Sequence, residues 1–421
     1  MSTENVKIVI NEKDTTSPLL FQPSTSDIAF VPGTTGTVTT PQLFTSAKIF
    51  ANDVMNNSFS ITDTGCIMAY ELLTRGMPVL YCKVGTSISD VTVAPVLEQL
   101  LDKNTYSVKY LTSGGVASLT DNDQNLAAHL IKCAAMRGDC VALVDYSTNS
   151  SDVMYAVDTH FGTTKATSSV YSKIDTAVGA MITAKTVEGK SVPPVITAEE
   201  LSYGTIMYPW ATYTTAFGAA TSLPGSFAYL MCVATAIKSS PNWLAMAGVA
   251  RGQVPNINAL TIKGTLTNEM AEECQPSKGA TNHQYSVNCI TDIRPYGNTI
   301  WGNRTLKAVS SGGTVALNFL NVRNMISDIK KVLYTTAKIV MFEQNTDSLW
   351  LRFKSGVSPL LNQLKSGNGI SDFKIIQNKT KYDGTSLRRG EISATVRVYP
   401  IYPVEYFELT VEISDQDVTI S

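Results

Sequence analysis

Residues able to do chemistry are sparse in this 421-residue chain and gather into no familiar constellation. Asp139 and Asp145 flank an apolar run, and Asp145 falls at its carboxyl end, where α/β enzymes place reactive groups. No nucleophile-and-base pair stands beside it. An α/β enzyme with a site near Asp145 is therefore the alternative reading, and the expectation is a protein with no catalytic residue, cofactor or metal. His129 shares a helical pattern with Leu126, Leu130 and Cys133, which suits a satisfied or half-exposed helical histidine. The seven cysteines (Cys66, Cys82, Cys133, Cys140, Cys232, Cys274, Cys289) are scattered, odd in number and mostly set in apolar runs. They form no CxxC pair and lie at no ligand spacing from His129, His160 or His283, so free buried thiols are expected. Phe30-Val31-Pro32-Gly33-Thr34-Thr35-Gly36-Thr37 is the stretch most like a phosphate loop. It lacks the Lys-Ser/Thr ending and a preceding strand, and reads as a turn. Arg304, inside Asn303-Arg304-Thr305, reads as a structural ion-pair partner.

Charge narrows the classes further. Lysine and arginine total 33 against 35 acids, a formal net charge of −2, which argues against a nucleic-acid grip. Charged residues make up 16%, against roughly 25% in ordinary soluble proteins. A surface so poor in charge is weakly protected against self-association and hints at an assembling protein. The N-terminal residues carry no basic stretch followed by an apolar core, and no apolar run is long enough for a bilayer span, so no membrane insertion is expected.

The elements that must position these residues alternate from about Thr64. Strands are expected at 78–84, 106–111 and 140–145 and helices at 94–102 and 123–136, an α/β layer. Residues 147–194 read as a connecting segment with a helix near 170–181. Strand character returns at 203–214, and a helix at 227–238. Farther on, Val322, Met325, Ile326, Ile329, Val332 and Leu333 recur at helical spacing, leaving Arg323, Asp328, Lys330 and Lys331 on other faces. Residues 338–342 read as a buried strand, and Asn345-Thr346-Asp347-Ser348 as the cap of a second helix carrying Leu349, Phe353, Val357, Leu360, Leu361 and Leu364 and ending at Gly367. Strands are expected at 372–377 and 391–399, followed by the break Tyr399-Pro400-Ile401-Tyr402-Pro403. Trp243 and Trp301 read as core or interdomain anchors.

Both ends carry a short alternating strand on a polar or proline-broken leash. Val6, Ile8 and Ile10 alternate with polar neighbours, as do Phe407, Leu409, Val411 and Ile413. A linker of about fifteen residues could carry the first strand about 50 Å from its body. Such a strand must find a sheet edge, in its own domain or in a neighbour.

Five segments in order carry a resemblance: Tyr208-Pro209-Trp210-Ala211, residues 241–252 (PNWLAMAGVARG), 300–306 (IWGNRTL), 317–324 with 342–345 and Trp350, and 390–409. Together they resemble contractile tail sheath proteins of bacteriophages and related contractile injection systems. The resemblance implies a multi-domain α/β (α+β) fold of mixed sheets with flanking helices. Its parts would be an N-terminal strand-exchange arm (1–27), an outer domain (28–305, with 147–200 a possible insertion), an inner C-terminal domain (306–403) and a C-terminal arm (404–421). It implies a virion tail component, assembled in the host cytoplasm as stacked hexameric rings around a tail tube protein and joined to baseplate and tail terminator proteins. Strand exchange would use Val6, Ile8, Ile10, Phe407, Leu409, Val411 and Ile413. Arg352, Lys354 and Lys365 are candidate tube contacts, with solvated surface charge as the competing reading. A non-contractile shell protein is a further alternative.

Overall fold

The computed structural model describes residues 27–147, 170–187, 190–218, 220–236, 240–241, 243–261, 271, 274–276, 284–309, 313–344, 346–377 and 393–405. Chain order begins β1 (Ala29–Gly33), β2 (Gln42–Phe44), α1 (Ala47–Asp53), α2 (Thr64–Thr74), β3 (Val79–Lys83), α3 (Asp90–Leu100), β4 (Tyr110–Leu111), α4 (Asn125–Arg137) and β5 (Val141–Val144). It continues through α5 (Val170–Met181), the hairpin β6 (Lys185–Val187) and β7 (Lys190–Val192), β8 (Gly204–Tyr208), β9 (Trp210–Thr214), β10 (Ala220–Leu223) and α6 (Gly225–Ala236). After β11 (Ile257–Thr261), β12 (Asn288–Ile293) and β13 (Gly297–Trp301) come a long helix, Leu320–Val340, a hairpin helix, Asp347–Ser366, then β14 (Ile370–Gln377) and β15 (Ala394–Pro400).

Eight strands form one sheet in the order β13-β12-β8-β5-β4-β1-β3-β2. All inner pairs are parallel, and antiparallel β2 and β13 close the two edges. A parallel sheet covered on both faces needs strands apolar on both faces, which the fully buried VALV of β5 supplies. Leu97, Leu130 and Ile174 from α3, α4 and α5 pack on one face; Phe50, Leu72 and Leu230 from α1, α2 and α6 pack on the other. A smaller sheet, β10-β9-β11, branches off after the cis Tyr208–Pro209 bond. The C-terminal unit has its own core, in which Ile326, Ile329, Val357, Leu361, Ile370 and Val396 meet.

Four expectations are corrected. Residues 338–342 are not a strand: the long helix runs through Val340, and the turn comes at Met341 and Phe342, the latter at φ +66° and 86% exposed. A short apolar run cannot tell a strand from a helix end, and here the unbroken helical period before it prevails. Residues 30–33 are not turn but the fully buried central strand β1. Pro32 is tolerated there because β4 pairs only with Ala29 and Phe30, so the proline lies beyond that ladder. The strand expected over 203–214 is two strands in different sheets, parted at Pro209, and that over 106–111 is reduced to Tyr110 and Leu111. The helix expected near 170–181 is present with those bounds, and the Thr346 side chain caps the hairpin helix by accepting from Leu349 N–H at 3.3 Å.

Candidate functional site

The long helix is the element on which the two bodies meet. Its first half is buried on all sides, polar residues included: Asn321, Arg323, Asn324, Ser327, Asp328 and Lys330 are all shut from water. One face closes the C-terminal core and the other faces the eight-stranded layer. Buried polar groups need partners, and this seam supplies them across the bodies. Arg323 donates to the Ser202 carbonyl at 3.1 Å and the Ser202 hydroxyl at 2.5 Å, and its guanidinium lies 4.0 Å from the Tyr203 ring centre. Lys330 Nζ donates to the Tyr203 hydroxyl at 2.8 Å, and Asn324 Nδ2 to the Tyr229 hydroxyl at 2.9 Å. Trp243, as its anchor reading required, donates from Nε1 to the Gly367 carbonyl at 2.9 Å and accepts from Asn321 at 3.1 Å.

At the centre sits Lys109, fully buried just before β4. Its Nζ contacts Asp27 Oδ1 and Asp328 Oδ2, each at 2.7 Å. Burial pulls the ammonium's affinity for its proton down, but the two carboxylates outweigh that and hold it above the ordinary lysine range. Asp328 is raised by its own burial, with Asp27 pushing the same way and Lys109 opposing. This site therefore ties together Asp27, the first described residue, the eight-stranded sheet and the long helix.

The last described residues meet the same seam. Arg304 pairs with Glu405, Nε to Oε1 at 3.0 Å, and lies 4.6 Å from the Phe319 ring centre. Tyr402 packs on that ring at 5.1 Å between centroids. The structural pairing expected of Arg304 is thus in place. Val6, Ile8, Ile10, Phe407, Leu409, Val411 and Ile413 lie outside the described residues.

Arg352, Lys354 and Lys365 are all exposed, but they do not form one patch. Arg352 and Lys365 lie thirteen residues apart on one helix, about 20 Å along its axis. Arg352 is 3.8 Å from Glu343, and Lys365 pairs with Asp372 at 2.9 Å. Sequence reasoning missed the apolar tip at the Arg352 end of that helix, where Ile339, Phe342 and Leu351 are 59%, 86% and 63% exposed. The signal was there in the run at 338–342, misread as a strand.

The rim used by α/β enzymes is filled by the chain itself. The crevice between β1 and β4 lies where successive connections leave for opposite faces, the usual ligand position in such sheets. There Asp63 accepts from the backbone N–H groups of Thr34 at 2.7 Å, Thr35 at 2.9 Å and Gly65 at 3.0 Å. Gly65 and Gly114 press on the Pro32 carbonyl, which a Cβ at either would approach to 2.1 and 2.0 Å. Asp145 does sit at the end of β5, as expected, but fully buried. Its Oδ1 accepts from Ser226 N–H at 3.1 Å, and its Oδ2 from the hydroxyls of Ser226 at 2.7 Å and Ser113 at 3.0 Å. It caps α6 and has no opening to a substrate. Burial raises its pKa to about 7, against the lowering effect of those hydrogen bonds. His129 is half-buried on α4, and all seven cysteines are free and buried.

With the geometry set out, comparison with known proteins shows the fold first. The fold is that of contractile-sheath proteins. The chain is similar to the PVC sheath complex of an extracellular contractile injection system in its contracted state, at TM-score 0.62 and 16% identity over 99% of both chains. It is similar to a chain of the anti-feeding prophage baseplate at TM-score 0.60 and 14% identity, over 99% of this chain and 100% of that one. More particularly, residues 314–414 match the family model described as the phage tail sheath C-terminal domain. The chain is also 25% identical to the tail sheath protein of Vibrio phage KVP40 over 187 residues, 44% of this chain and 26% of that protein. Identity to the tail sheath protein of Enterobacteria phage T4 is 24% over 170 residues, 40% of this chain and 24% of that one. The chain thus matches about a quarter of the length of these curated relatives. The resemblance read from the ordered sequence segments holds in both sequence and fold.

Two outcomes follow from the geometry. Lys109→Met strands two buried carboxylates and is expected to lower stability by about 3–5 kcal/mol in urea unfolding, part of which returns when Asp328→Asn is added. Asp145 binds a proton in the folded chain up to about pH 7, whereas the unfolded chain loses it near the ordinary carboxylate value. Its contribution is therefore fully present at acid pH and is lost as pH rises through about 7. Asp145→Asn is expected to flatten that fall between pH 4 and 8 and to be the more stable protein at pH 8, read by denaturant midpoints.

Proposed function

We propose that this chain is the structural subunit of a contractile tail sheath, with no catalytic role. Subunits wrap a tail tube as stacked hexameric rings in a metastable extended state. Contraction, begun at the baseplate and bounded by a tail terminator, drives the tube through a target envelope. In this reading the large motion resides in how neighbouring subunits sit against one another. Free energy for the change is set aside during assembly, in contacts less favourable than those of the contracted form. The protein belongs to the virion tail or its equivalent in an injection device, and is assembled in the producing cell's cytoplasm.

The observation that carries this reading is the sheet β14–β15. Among the described residues it has two strands only, so the outer backbone edges of both lack a strand partner. Two-stranded sheets are marginal alone, and a free edge is a template for an added strand. The alternating strands at the two ends of the chain are the pieces that fit: Val6, Ile8 and Ile10 from one neighbour and Phe407, Leu409, Val411 and Ile413 from another. Four to six added backbone hydrogen bonds at about 1 kcal/mol each hold neighbours together while bodies rotate. In this division residues 1–27 and 404–421 are the arms, 28–305 the outer domain and 306–403 the inner domain facing the tube. Arg352, Lys354 and Lys365 contribute charge to the tube side, with the exposed apolar tip of the helical pair at the Arg352 end.

The alternative of an α/β enzyme near Asp145 loses support from the buried, self-satisfied state of that carboxylate. Electron microscopy of the chain expressed alone tests the assembly. Tubes or stacked rings are expected from the whole chain, and loose rings or single subunits after deletion of residues 1–10. Val411→Pro is expected to weaken the linkage with an unchanged melting temperature. Unaltered ring-to-ring linkage after both changes would remove strand exchange from the account.

A further inference from the structure

The seam that joins the bodies carries one charge too many for its contacts. Lys109 is shared by Asp27 and Asp328. Arg137 grips Asp139 with two nitrogens, at 2.9 and 3.0 Å, and donates as well to the Tyr106 carbonyl at 3.1 Å. Lys330 has the Tyr203 hydroxyl. Lys331 has nothing. Its Nζ is closed off from solvent and makes no hydrogen bond among the described residues, although part of its stem is exposed. The groups facing it are Asp139 and Cys140 from the segment between α4 and β5, Asp328 from its own helix and Lys109 from the strand approach. An unpaired buried ammonium costs several kcal/mol. Groups left in that condition in a folded protein mark places where a second arrangement is within reach.

The geometry points to Lys331 as a spare charge of the seam: bare in the arrangement described here, and paired with Asp139 in a second arrangement reached when the long helix shifts against the sheet. Asp139 is the partner because it lies across the seam, so that forming the pair requires relative movement; Asp328, on the same helix, requires none. Its two oxygens each accept one bond from Arg137 and retain capacity for another. The seam is then a two-position joint with a built-in penalty on one position. This applies to the isolated chain and stands or falls apart from the sheath reading.

Removing the charge tests it. Lys331→Met keeps most of the stem and is expected to raise the melting temperature of the isolated chain at pH 7 by at least about 2–4 °C. It should also slow amide exchange at the seam, at Val141 N–H and Lys109 N–H, which donate to the Lys109 and Ile28 carbonyls. Burial lowers the Lys331 amine's affinity for a proton, so its penalty is full at and below its folded pKa and fades as pH approaches the ordinary lysine value. The gain from Lys331→Met should shrink along that path. Lys331→Arg, which cannot shed its charge, should instead melt lower and keep its deficit at high pH. A lower melting temperature for Lys331→Met, seam exchange equal to the unmutated chain, or Lys331→Arg as stable as the unmutated chain would each overturn the inference.

Discussion

The fold depends on one buried ammonium. Lys109 holds Asp27 and Asp328 at equal distances, and those three residues come from the approach to β4 in the sheet, from the segment just before β1 and from the long helix. A seam of leucine against leucine tolerates small slides, since dispersion and burial change little over an ångström. A triad of buried charges does not, because each 2.7 Å contact offsets a desolvation cost that returns in full when the contact opens. The polar residues of the long helix repeat the same logic with Ser202, Tyr203 and Tyr229. The two bodies are thereby held in register by directional bonds, while apolar clusters on either side provide the bulk of the burial.

The same economy of charge fills the crevice that a layer wound this way leaves between β1 and β4. At the carboxyl rim the backbone donors of Thr34, Thr35 and Gly65 converge as they would on an anion, and Asp63 fills the place. Asp145 does likewise for the start of α6. With Gly65 and Gly114 in contact with Pro32, the crevice is packed backbone on backbone. Carboxylates spent this way bind loops to helices and make the layer a stiff body.

Much of this was legible in the sequence. Strands β3 and β5 and helices α4 and α5 came from runs whose period is set by burial on known faces. The order of the sheath-like segments pointed to the C-terminal match from Leu317 onward. What was not legible depended on distance in the chain. Nothing local to Lys109 announces Asp328, 219 residues away, and the pattern of the long helix could only set its polar residues on other faces, because amphipathic patterns do not register a second, polar interior. The strand expected at 338–342 failed for the opposite reason: Ile339 and Phe342 are exposed, and an apolar run alone does not tell surface from core.

The first and last described residues both meet the seam, and under the proposed division into body and arms this has a mechanical consequence. Asp27 is held by Lys109, and Glu405 by Arg304, whose guanidinium also rests against Phe319 at the entry to the long helix. On that proposal a pull on either terminal segment would be delivered first to the joint between the bodies, not to the outer helices or the sheet edges. Apolar anchoring at those two roots would hold the arms without fixing their direction. Ion pairs backed by rings fix both, so that neighbours joined through the arms would sense the set of the joint, and the joint would sense them. In such a design the strength of the added strands and the balance of charge at the seam are one coupled property, and altering either changes the load carried by the other.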